Sequence, residues 1–111
     1  MMNMPMNQLQ QRFSRVEQCI EDARMACQSA GSIPQELKDC IGELDRRSHE
    51  AHDLMQQAQD EDRIVQCVDS LEQLGDRAMQ ACRNAGSVDP GLREAVKAAH
   101  DELSQLKHQL H

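Results

Sequence analysis

Apolar residues in the first third of the chain recur at alternating steps of three and four: Met6, Leu9, Phe13, Val16, Ile20, Ala23, Cys27, Ala30. Such a series falls on one stripe of an α-helix. A second column at Cys19 and Ala26 widens the stripe to the face a bundle helix needs. Three more stripes follow. The second is Leu37, Ile41, Leu44, Ser48, Ala51, Met55, Ala58, flanked by Cys40 and Leu54. The third is Ile64, Val68, Leu71, Gly75, Ala78, Cys82, Ala85, flanked by Cys67, Leu74 and Ala81. The last is Leu92, Val96, Ala99, Leu103, Leu106, Leu110.

The interruptions between stripes carry helix start and stop chemistry. Asn3 ahead of Pro5 can open the first helix, and Gly31 closes it at the C′ position, where positive φ is tolerated. Ser32-Ile33-Pro34-Gln35 reads as a capping box for the second helix. Gln59-Asp60-Glu61-Asp62-Arg63 is polar and lacks Gly or Pro; length priors favour a turn there, capped by Asp60 or Asp62, over one continuous helix. Gly86 ends the third helix, and Asp89-Pro90 supplies an N-cap and an N1 proline for the fourth.

Ala26-Cys27-Gln28-Ser29-Ala30-Gly31-Ser32-Ile33 returns as Ala81-Cys82-Arg83-Asn84-Ala85-Gly86-Ser87-Val88, at an offset of 82 − 27 = 55 in the numbering. Leu9/Ile64, Phe13/Val68, Val16/Leu71, Leu37/Leu92 and Ile41/Val96 match at the same offset. The expected fold is therefore all-α: an antiparallel up-down-up-down four-helix bundle made of two tandem helical hairpins. The Met-rich segment 1–6 precedes it, and the single bundle runs over 7–111, with hairpin repeats of about 7–59 and 62–111. Charge on the flanks suggests how neighbouring helices meet. If the second helix turns its more polar flank to the third, His52 approaches Glu72 and, equivalently, Lys107 approaches Glu17.

Composition narrows the partners. The formal charge of −7, with one aromatic residue (Phe13), offers neither a basic patch nor stacking platforms and argues against nucleic acid. No apolar run is long enough for a membrane span, and Met1-Met2-Asn3-Met4-Pro5-Met6 lacks the basic and apolar regions of a secretory signal. A cytoplasmic protein is expected. Five cysteines without Cys-x-x-Cys spacing point to free thiols.

Histidines are the first chemical candidates. His49 and His52 sit three apart on one helix, as do His108 and His111, and such pairs can coordinate zinc, copper or nickel, the first with Asp45 or Asp53. Met1, Met2, Met4 and Met6 together with cysteines suit a soft metal such as Cu(I). Cys27 and Cys82 fall on diagonal helices and read as core fillers, whereas Cys19, Cys40 and Cys67 stand at seam edges and are the expected reactive thiols. Ser48 and Gly75 interrupt their stripes near mid-bundle, a pattern of close helix approach or of a small cavity.

The segment Arg46-Arg47-Ser48-His49-Glu50-Ala51-His52-Asp53-Leu54 resembles histidine phosphotransfer domains, which are four-helix bundles with an exposed histidine in an Ala-His-x-Leu context. The resemblance implies a phosphoryl-accepting His52. The chain departs from that pattern directly afterwards: Met55-Gln56 stand where the family has Lys-Gly, and Asp53 would repel a phosphoryl group. A duplicated hairpin is not the family's pattern either.

No nucleotide loop, hydrolase elbow or paired catalytic carboxylate motif is present. The expectation is a non-enzymatic bundle without a cofactor, acting by protein–protein interaction or self-association as a homo-oligomer. The alternative is a metal-binding or metal-buffering protein for zinc, copper or nickel.

Overall fold

Each apolar stripe becomes the buried face of one helix. A computed structural model describes residues 5–29, 33–57, 61–86 and 88–110. Its elements are α1 (Met6–Ser29), α2 (Gln35–Gln57), α3 (Glu61–Ala85) and α4 (Pro90–Leu110). Helices of this length are about 35 Å long at 1.5 Å per residue, and they pack side by side into a body 41 × 21 × 18 Å.

The helix starts follow the punctuation of the sequence. Pro5, Pro34 and Asp89 each offer their carbonyl to the amide four residues on, at Leu9, Lys38 and Arg93. Asp89 also accepts the Gly91 amide on its carboxylate at 2.7 Å, which makes it a true N-cap with Pro90 at N1. Gly86 has φ of +75°, the left-handed conformation expected after α3. The corresponding Gly31 and the capping Ser32 lie outside the described residues. So does part of the 59–63 junction; the helices on either side of it, α2 and α3, pack against each other.

The core is aliphatic around one ring, Phe13, with Leu9, Val16, Ile20, Leu37, Ile41, Leu44, Met55, Ile64, Val68, Leu71 and the α4 leucines. Every buried position of α4 is a buried position of α2 moved by the repeat offset, from Leu37/Leu92 to Met55/Leu110. Ile33 and Val88 pack on the core just ahead of α2 and α4, tying each helix entry to the bundle.

Four helix pairs pack together: α1 with α2, α2 with α3, α3 with α4, and α4 with α1. Contacts between neighbours run in opposite chain order. In the first hairpin, Gln10 bonds the Met55 carbonyl while Glu17 meets His52. In the second, Glu72 meets Lys107 while Asp76 meets His100.

Those pairs correct the flank assignment made from charge. His52 contacts Glu17 at 3.1 Å rather than Glu72, and Lys107 contacts Glu72 at 3.1 Å rather than Glu17. The polar flanks close each hairpin on itself. The reason is burial: this arrangement leaves Cys40 and Leu54 of α2 and Cys67 and Leu74 of α3 on the α2–α3 face, where they pack against the core.

Ser48 and Gly75 meet different partners. The Ser48 hydroxyl is buried and donates to the Asp45 carbonyl at 2.8 Å, whereas Gly75 faces His100.

Candidate metal-binding site between α3 and α4

Glu72 and Asp76 are four residues apart on α3, so their side chains share one helix face. Gly75 lies beside them and presents no side chain to α4. His100 uses that space: a Cβ at Gly75 would stand 3.3 Å from the imidazole Cδ2. The ring is thereby held against α3, with only 22 % of its side chain exposed.

Three potential ligands converge here. His100 Nε2 lies 2.5 Å from Asp76 Oδ1 and 3.5 Å from Glu72 Oε2. One donor atom from each of Glu72, Asp76 and His100 falls within 4.8 Å of the other two. Glu72 is nearly buried, at 12 % exposure, whereas Asp76 is 60 % exposed and leaves the cluster open on one side. Two neighbours complete the surroundings. Lys107 Nζ donates to Glu72 Oε1 at 3.1 Å, and Asp101 Oδ1 is 3.7 Å from His100 Nδ1.

The electrostatics match this geometry. The hydrogen bond from Lys107 to Glu72, reinforced by the carboxylate charge, holds the ammonium above its ordinary pKa. The Asp101 carboxyl is lowered, first by its hydrogen bond from Lys97 at 2.8 Å.

A tetrahedral metal with ligands about 2.0–2.2 Å away needs those ligand atoms roughly 3.4 Å apart. The Nε2–Glu72 separation of 3.5 Å already meets this. The Nε2–Asp76 hydrogen bond would open by about 1 Å as a metal replaced its proton. Such a site has three protein ligands and leaves coordination positions for water.

Other candidate residues are placed differently. His49 turns Nδ1 onto the Asp45 carbonyl of its own helix at 2.8 Å, while His52 turns Nδ1 onto Glu17. The two rings thus serve separate partners, and Asp53 is exposed. His108 sits in the last turn of α4 beside Arg12, Ser104 and Gln105, and His111 lies outside the described residues. Met1, Met2 and Met4 also lie outside them; Met6 packs against the core.

The thiols are less available than their seam-edge positions suggested. Cys40 is buried, while Cys19 and Cys67 are partly so. Cys27, read as core, is only partly buried, unlike Cys82. Burial is the main cause that raises all five thiol pKa values.

His100 is a lone histidine without a Glu three residues earlier, so no ligand motif marks it in the sequence. Two signals point to its surroundings: the unexplained Gly75, and the repeat itself. The repeat offset places Glu72 on Glu17 and Lys107 on His52, so each hairpin sets a carboxylate against a basic group. At the position of His100 the first copy has Asp45.

Comparison of the chain with protein-family models, with curated proteins and with solved structures finds no match.

Proposed function

We propose that this protein is a non-enzymatic helical bundle that binds a divalent transition-metal ion between α3 and α4, through His100, Glu72 and Asp76. The observation that carries the reading is the convergence of one imidazole nitrogen from α4 and two carboxylates from α3 within 4.8 Å. Imidazole favours zinc, nickel or copper over calcium and magnesium, which prefer oxygen alone. The reading keeps the metal-binding role expected from the histidines but moves it off α2.

Self-association or docking of a protein partner has less support. Among the described residues, Met25 is the one large hydrophobic side chain left exposed. Light scattering with and without zinc tests it: a monomer in both states removes self-association.

Calorimetric titration with zinc chloride tests the metal site. One equivalent should bind to the wild-type chain and to the double variant His49→Ala/His52→Ala, and binding should be lost in His100→Ala. No binding by the wild type overturns the reading. Loss in the double variant with retention in His100→Ala returns the site to α2.

A further inference from the structure

One carboxylate of the cluster faces two basic side chains. Glu72 turns Oε2 toward His100 Nε2 at 3.5 Å and Oε1 toward Lys107 Nζ at 3.1 Å. Lys107 is 38 % exposed, and its ammonium is a permanent charge near neutral pH, held further in that form by Glu72. A divalent ion seated on Oε2 would therefore lie a few ångströms from a fixed positive charge on the same carboxylate.

We infer that Lys107 is a built-in competing cation that sets the affinity of the Glu72–Asp76–His100 site and makes its metal exchangeable. The inference rests on the metal-binding reading above. Two physical effects act together. Lys107 already neutralises Glu72, so a metal gains less from that ligand than from a free carboxylate, and the two cations repel across a distance where Coulomb energy is substantial even at high effective dielectric. Nearly buried Glu72 cannot swing freely into solvent to escape the conflict. The metal either shares Glu72 with Lys107 or displaces the lysine, whose long flexible stem allows it to leave.

An alternative role for Lys107 makes the opposite prediction. If it only orients Glu72 toward His100, its removal disorders a ligand and weakens binding. Zinc titration of the full chain carrying Lys107→Met, with Lys107→Arg as the charge-retaining control, separates the two. The competing role requires Lys107→Met to bind zinc roughly tenfold or more tightly than wild type, with Lys107→Arg close to wild type. Circular dichroism confirms that each variant is folded. Equal or weaker binding by Lys107→Met, while wild type binds, overturns the competing role and leaves the metal site standing. Absence of zinc binding in the wild type overturns the site and the inference together.

Discussion

His100 occupies the space that a side chain at Gly75 would take, with its Cδ2 3.3 Å and its Cα 3.6 Å from the position of the missing Cβ. Helical glycine costs about 1 kcal/mol relative to alanine, so the chain gives up local stability at the point where α4 brings its histidine against α3.

Gly75→Ala tests what that glycine is for. Alanine restores up to about 1 kcal/mol of helix propensity, against a ring that must give by a few tenths of an ångström. His100 is partly exposed and can turn outward to do so. Thermal stability should be unchanged or slightly higher, while zinc affinity falls as the ring leaves Glu72 and Asp76. Unaltered zinc binding in a folded Gly75→Ala protein would show that the glycine does not position the ligand.

Two other glycines should respond with opposite signs. Gly42 is exposed inside α2 with nothing within 4 Å of an added Cβ, so Gly42→Ala should stabilise by about 0.5–1 kcal/mol. Gly86 also has open space, but its φ of +75° should make Gly86→Ala destabilising by about 1–2 kcal/mol. Urea denaturation of both variants checks the contrast.

Ser48 is the one buried polar side chain in the described core, and its hydroxyl bonds back to the Asp45 carbonyl three residues earlier. Removing the hydroxyl leaves a carbonyl that still belongs to the helix ladder, and such back-bonding slightly disfavours helices. Ser48→Ala should therefore shift stability by less than about 1 kcal/mol. A loss above about 2 kcal/mol in chemical denaturation would instead assign the hydroxyl an essential structural role.

The thiols give a pH dependence. Burial raises all five from the ordinary value of 9.0, and at Cys19 the neighbouring Glu102 and Asp22 add to it. The folded chain then holds its thiol protons more tightly than the unfolded chain. The resulting stability is fully present below pH 9.0 and is lost as pH rises through and above that value. Denaturation midpoints should fall on the alkaline side, and iodoacetamide should label the native protein near neutrality more slowly than the urea-unfolded protein. Rapid native labelling would contradict the burial argument.

The helices were legible because burial leaves a period in the sequence. Leu9 through Cys27, Leu37 through Met55 and their later counterparts could form a continuous apolar face only as helices. Asp89-Pro90 and Gly86 marked boundaries by local backbone chemistry that needs no distant partner. The repeat was equally direct, since Cys27 and Cys82 stand in the same frame of small residues before a glycine.

The neighbours across each helix were decided by the tertiary structure. A ring of four helices buries the same stripes whichever way it turns, so periodicity leaves open whether His52 meets Glu17 or Glu72. What separates the alternatives is the burial of the apolar flanks at Cys40, Leu54, Cys67 and Leu74, a weaker signal than the core stripe. The site depends on that choice. His100 and Glu72 stand on different helices, far apart in the chain, and only the packing of α4 against the bare backbone of Gly75 brings them within ligand distance.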